Sequence, residues 1–415
     1  MASSERFTFP SWINTEFISE ILFKERGVDT SVLRFNFEDV VPKGDNFLST
    51  LFRLDVEYKE TKEGDTKHYF MILKALPESE MMLKFLSELD GFRKELCMYT
   101  TVFPAIYRIM KEAKGHVHVL SPRCLYSDEE SLIVLEDLKQ FGYKMAVRQE
   151  GLDLEHCRIT LRALARLHAA SFALYKSDPS IMDVFEEGMF KDTVENRKFR
   201  QSLFNVNINS LASKVETWDG YERFGPKLRE LIPTAVDSMI EAVTPKENSF
   251  NVLNHGDCWV NNMLFRYCPQ TGKVEDMRFV DFQVARFTSP ALDLQYFIIN
   301  SATDDLRFNQ MEDLLEEYYS ELADFMKALK LEAHLISLQK LKDEYHEKDM
   351  FGLLNACTVL CLVLAQKDDI PHMGNIKKDH AEKSGQSLLD KAYSGKRYRE
   401  VFQKLLIYYE NKGVI

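Results

Sequence analysis

The stretch NHGDCWVNNMLF (254–265) decides how this chain is read. It contains His255-x-Asp257-x-x-x-x-Asn262 and runs into a β-like segment, NMLFRY (262–267). A turn-rich PQTGK (269–273) follows, then a second β-like run, MRFVDFQ (277–283). Asp281 falls 24 residues after Asp257, where that second strand is expected to end. Phosphoryl transfer needs little covalent work from a protein. It needs a carboxylate to orient the acceptor hydroxyl and take its proton, and oxygen ligands to fix Mg²⁺ on the phosphates. Asp257 fits the base, and Asn262 and Asp281 fit the metal ligands. The hairpin 262–283 would bring all three to one edge of a cleft. Alone the motif does not decide the reading, because H-x-D with a later Asn also arises by chance. The order of the elements around it carries the rest.

Upstream, VLRFNFEDVV (32–41), FLSTLFRLDVEY (47–58) and HYFMILKALP (68–77) predict three strands, separated by the turn signals PKGDN (42–46) and EGDTK (63–67). A helical pattern spans about 79–102, where Gly91 can split it, and two further strands are expected at 121–127 and 131–138. A phosphate-binding lobe of this kind should offer a lysine on its third strand and a glutamate on the next helix. Lys74 and Glu95 meet that requirement. The plain alternative is a Lys74 that snorkels to the surface from an edge strand, and Glu80 and Glu88 are rival partners on the same segment. GDNFLS (44–49) is the candidate phosphate-covering turn, acting through backbone N–H groups around Gly44, Asn46 and Ser49. An ordinary hairpin turn reads equally well there. LEDL (135–138) ends the fifth strand, where backbone groups from Glu136 to Leu138 could meet adenine; the bland version is a simple connection. No G-x-x-x-x-G-K-[ST] occurs, which excludes the other major ATP-binding loop.

Beyond about residue 150 the periodicity turns helical. LEHCRITLRALARLHAASFALY (154–175) follows an Asp153 suited to cap it. Further helices are expected near 190–216, 226–243, 310–328, 332–346, 351–366 and 385–411. The fold class is therefore α+β: a small lobe with an antiparallel sheet and a leading helix (1–138), then a large helical lobe (139–415) that holds the hairpin. His116-x-His118 has no third ligand nearby and predicts no metal site. His168 lies on an apolar helix face and is expected as a satisfied core histidine. Asp293, in SPALDL (289–294), either braces the catalytic loop or caps a helix. KDEYHEKDM (342–350) is expected as a solvated face.

The composition narrows the function. The chain has 415 residues, 45% of them hydrophobic and 28% charged, which is ordinary globular usage. A net charge of −12 with no dense basic run argues against nucleic acid as partner. The seven cysteines form no C-x-x-C pair, so a zinc ribbon is out and reduced, mostly buried thiols are expected. The first residues carry no apolar signal-peptide core, and the longest apolar run, 353–365, is too short to span a bilayer. A cytoplasmic monomer without membrane attachment is the expectation.

Lys74, Glu95, HGDCWVNN (255–262), DFQ (281–283) and SPALDL (289–294) together resemble the insect ecdysteroid kinase-like family. That family lies within the choline kinase and aminoglycoside phosphotransferase group, with its protein-kinase-like fold. FPSWINTEFISEIL, GDNFLS, LEDL and LARLHAASFAL are similar to it as well, so the resemblance covers almost the whole chain. It implies ATP and Mg²⁺ as cofactors, Asp257 as base, Asn262 and Asp281 as Mg²⁺ ligands, and Lys74 with Glu95 as the phosphate-positioning pair. Gln283 stands where protein kinases carry glycine, which argues against a protein substrate. The implied acceptor is an ecdysteroid or another hydroxylated apolar compound. A choline- or ethanolamine-type kinase, and a non-catalytic binding protein on a kinase fold, are the alternatives.

Overall fold

β-Branched and aromatic residues at alternate positions make the first three strands: β1 (Ser31–Asp39), β2 (Thr50–Lys59) and β3 (Lys67–Ala75). The structure, a computed structural model, describes residues 13–39, 50–76, 83, 86–87, 90–128, 130–186, 191–366 and 389–415. With β4 (Cys124–Ser127) and β5 (Leu132–Glu136) these strands form an antiparallel five-stranded sheet in the order β1-β2-β3-β5-β4. β3 is thus the central strand, not an edge. Its period of two sends Met71 and Leu73 to one face, against Ile18, Ile21 and Leu22 of the leading helix α1 (Thr15–Arg26). Ile72 and Lys74 therefore face the other side. β5 is buried on both faces. Leu132 and Val134 join the α1 side, while Ile133 and Leu135 pack with Met98, Val102 and Ile106.

Asn14 caps α1 by accepting the Phe17 N–H, and Gly27 ends it at φ +70°. Arg123 then ties α1 to the end of β5. Its guanidinium lies 2.6 Å from Glu25 and 3.0 Å from Glu136. The helix expected to stop near Val102 instead runs on. α2 (Gly91–Cys97) passes through a wide π turn (Met98–Val102) into α3 (Phe103–Lys114). Pro104, which reads as a breaker, sits in the first turn of α3, where its missing N–H costs no helix bond.

The helical part is built on α4 (Leu154–Ser177), capped by Asp153, which accepts the His156 N–H. Three short strands cross its face: β6 (Tyr143–Met145) with the hairpin β8 (Met263–Tyr267) and β9 (Val274–Phe279), in the order β6-β8-β9. A second pair, β7 (Val252–Asn254) and β10 (Arg286–Thr288), brackets the motif stretch on both sides. Around these pack α5 (Val194–Val215), α6 (Phe224–Glu230), α7 (Ala235–Val243), α8 (Ala291–Ser301), α9 (Asp304–Asn309) and α10 (Met311–Ala328). The C-terminal helices are α11 (Leu338–Glu347), α12 (Asp349–Thr358), α13 (Leu360–Leu364), α14 (Asp390–Tyr393) and α15 (Lys396–Asn411). Several expected single helices are broken: 226–243 between α6 and α7 across Pro233, 351–366 at Val359, and 385–411, within its described part from 389, at Gly395. Among the described residues no helix is long and apolar enough to cross a membrane.

The segment 342–350 departs most from expectation. Glu344, Tyr345, Lys348 and Asp349 are buried, and the three charged groups among them have internal partners. Glu344 accepts the Ser289 hydroxyl at 2.6 Å, and Asp349 accepts Gln295 Nε2 at 2.8 Å. Lys348 donates to the Ala242 carbonyl at 2.5 Å, at the end of α7. Burial, aided by Lys246, pulls the Lys348 ammonium down to a pKa of about 8. The folded protein therefore holds this proton less tightly than the unfolded chain does. Below pH 8 both states are protonated and the penalty is constant, about 3 kcal/mol. Between about pH 8 and 10.5 the unfolded state binds more protons, so the contribution to stability rises with pH. Lys348→Met is expected to raise the melting temperature at pH 7 and to flatten that alkaline rise. Parallel melts of the two proteins from pH 7 to 10 check it; identical pH slopes would refute the assignment.

Candidate active site

Lys74 enters from β3 with the ammonium on the face opposite α1 and only 4% of the residue exposed. Its Nζ lies 2.6 Å from Glu95 Oε2 on α2 and 2.8 Å from Asp281 Oδ1. Burial works against the charged amine, but Asp281 and then Glu95 outweigh it and hold the Lys74 pKa above the ordinary lysine value. Glu95 is the partner seen; the rivals Glu80 and Glu88 lie outside the described residues, as do Gly44, Asn46 and Ser49 of the expected phosphate-covering turn.

Asp281 does not end a strand. β9 stops at Phe279, and Asp281 follows with φ +67°, a left-handed conformation uncommon for a residue with a side chain. That turn aims its carboxylate at Lys74. The next residue, Phe282, is fully buried, with ring centroids 4.9 Å from Phe103, 5.6 Å from Tyr99 and 4.7 Å from His255. Its N–H also points to Glu95 Oε1 at 3.4 Å. The segment after β9 is thus pinned between α2–α3 and the 255–262 loop.

That loop is held from beneath by Asp293 on α8. The Asp293 carboxylate accepts the His255 N–H at 2.7 Å and the Gly256 N–H at 2.9 Å. It also lies 3.2 Å from His168 Nε2, whose Nδ1 meets the Tyr318 hydroxyl at 2.7 Å. Of its two expected roles Asp293 takes the bracing one, and His168 is the satisfied core histidine expected. Gly256 has φ +80°, and a Cβ there would lie 2.1 Å from the Val284 carbonyl oxygen, so glycine is required. His255 links the two halves of the site. Its Nε2 meets the Val280 carbonyl at 3.1 Å, and its Nδ1 meets the Asp257 N–H at 3.3 Å. These partners select the Nε2–H tautomer.

Asn262 Nδ2 donates to both the backbone carbonyl and Oδ2 of Asp257, each at 2.9 Å. Its Oδ1 is left without a protein donor among the described residues. The other Asp257 oxygen, Oδ1, accepts the Tyr296 hydroxyl at 2.5 Å. Burial raises the Asp257 pKa above the usual carboxylate range; the Tyr296 bond opposes this and the nearby Asp281 charge adds to it. The structure therefore gathers Lys74, Glu95 and Asp281 in one ion cluster and Asp257 with Asn262 in an adjoining one. Asn262 and Val280 join them by a backbone bond of 3.0 Å.

At the end of β5 the Glu136 side chain is not free to meet a ligand, since it accepts from the Arg123 backbone N–H and guanidinium at 3.0 Å each. Asp137 is held by Arg53 at 2.5 Å and caps the short turn that follows by accepting the Lys139 N–H. The Leu138 N–H has no protein acceptor among the described residues. Only backbone groups of this connection are available to a base.

The model of the ecdysteroid kinase-like family matches residues 43–331. The chain belongs to that family. No curated protein matches it. Among solved structures, a choline/ethanolamine kinase family protein from Mesorhizobium loti is similar at 12% identity, covering 89% of this chain and 88% of that chain, with a TM-score of 0.37. Membership in the ecdysteroid kinase-like family brings a kinase-like fold and phosphotransferase chemistry in general.

The sequence did not disclose Tyr296 as a site residue. A signal for it exists, however. It lies three residues after Asp293 on α8, so any face that presents Asp293 to the loop presents Tyr296 beside it.

Proposed function

We propose that this ecdysteroid kinase-like protein transfers the γ-phosphate of ATP to a hydroxyl of an ecdysteroid or a similar hydroxylated apolar compound. One observation carries the proposal: a buried Lys74 bridges Glu95 and Asp281 beside an Asp257 held by Asn262. The donor set fits a nucleotide with Mg²⁺. The free Oδ1 of Asn262 and the partly exposed carboxylate of Asp281 are hard oxygen ligands. Lys74 would hold the α- and β-phosphates, and the backbone at Leu138 would meet the base. When bound, Mg·ATP supplies the phosphoryl group and neutralises the charge that develops on it. Asp257 orients the acceptor hydroxyl and takes its proton, and its raised pKa brings it closer to the basicity that proton transfer at neutral pH favours. His255 keeps the backbone of Asp257 in register with the segment that carries Asp281. The apolar acceptor class rests on the ecdysteroid kinase-like family match.

Purified protein incubated with ATP, Mg²⁺ and a panel of hydroxylated steroids is expected to yield a phosphate ester, with choline and ethanolamine as weak competitors. Mg·ATP is also expected to raise the melting temperature. A protein with no phosphorylated product and no ATP-dependent shift would be a carrier on this fold, not an enzyme. Strong phosphorylation of choline in place of the steroids would overturn the acceptor class alone.

A further inference from the structure

We propose that Tyr296 is a positioning residue of this site, whose hydroxyl fixes the plane of the Asp257 carboxylate so that Oδ2 faces the acceptor. The inference rests on the reading of Asp257 as the base. A carboxylate turns easily about its last torsion, where the wells are broad. The backbone contacts of the loop do not restrain that rotation. Two side-chain donors do, one on each oxygen: Tyr296 on Oδ1 at 2.5 Å and Asn262 Nδ2 on Oδ2 at 2.9 Å. Asn262 is shared, because its Nδ2 also serves the Asp257 carbonyl. Tyr296 is therefore the restraint whose hydroxyl is given to the carboxylate alone.

Tyr296 is itself well held. It is 6% exposed and belongs to the second hydrophobic core, together with Phe351 and Leu354. One turn earlier on the same helix, Asp293 grips the His255 and Gly256 N–H groups. α8 thus sets both the height of the loop backbone and the rotation of its carboxylate from one rigid element. Misplacing a reacting group by about 1 Å can cost on the order of 10²-fold in rate. A device that locks one torsion is worth a comparable factor. If Tyr296 served only packing, phenylalanine would replace it without effect, so hydroxyl and ring are separable.

The test is Tyr296→Phe. The ring is kept, so the melting temperature and its rise with Mg·ATP are expected to stay close to those of the unaltered protein. The KM values for ATP and acceptor are expected to hold, while kcat falls about 10- to 100-fold. A crystal structure of the variant is expected to show the Asp257 carboxylate rotated from its present plane. An unrotated carboxylate, or a kcat within twofold of the original, overturns the proposal while leaving the kinase reading intact. If the unaltered protein phosphorylates nothing, the kinase reading fails separately, and the carboxylate orientation in the variant still decides whether Tyr296 sets it.

Discussion

Replacing Asp257 by asparagine is expected to slow phosphate transfer about 10²–10⁴-fold while leaving ATP-dependent stabilisation in place. Asparagine keeps the shape and can still accept one of the two hydrogen bonds, from Tyr296 or Asn262. It cannot take a proton from an alcohol. The groups assigned to the phosphates and the metal, Lys74, Asn262 and Asp281, are untouched. Burial already disfavours the charge on Asp257, so the neutral amide should cost no stability. The decisive comparison is single-turnover transfer against the ATP-induced rise in melting temperature. Loss of both together would mean that Asp257 holds the loop, not the proton.

Gly256→Ala is expected to give the opposite signature, with stability, nucleotide response and turnover all lost together. At φ +80° a side chain is strained by about 1–2 kcal/mol before any contact is counted. The added Cβ would then sit 2.1 Å from the Val284 carbonyl oxygen, a backbone atom with no flexible end to move. Relief requires the loop and the segment 281–285 to separate, and that segment carries Asp281 and Phe282. A total cost of about 2–4 kcal/mol is expected, of the size seen for strained backbone sites. Thermal melts with and without Mg·ATP, alongside turnover, measure it. A variant with ordinary stability and full ATP response would show that this close approach is relaxed in solution.

Much of this site was legible because each member interrupts its local pattern for a reason. Lys74 breaks an apolar strand, and a lysine is buried only when paired; the sequence offered Glu80, Glu88 and Glu95 as acids on the next segment, and only the folded chain sets Glu95 against it. Asp257, Asn262 and Asp281 were legible from their spacing around a hairpin. What was hidden depended on three-dimensional partners. Glu344, Lys348 and Asp349 look like solvated charges until Ser289, Ala242 and Gln295 are placed beside them. The left-handed turn at Asp281 is not written in residue type, since a residue with a side chain adopts it only when its surroundings enforce it. The helix running past Pro104 was missed because proline reads as a stop, although the first turn of a new helix segment tolerates it. The Tyr296 hydroxyl was missed because tyrosine on a buried helix usually means core.

Lys74 spans Glu95 and Asp281, and this has an electrical consequence. The resting cleft sets one ammonium against those two acids, with Asp257 close by. A bare triphosphate approaching it meets net repulsion at short range. On the proposed function, the same molecule masked by divalent ions would not, and Asp281 would be the carboxylate on hand to hold such an ion. On that reading the cleft would favour the charge-masked form of a nucleotide over the bare one.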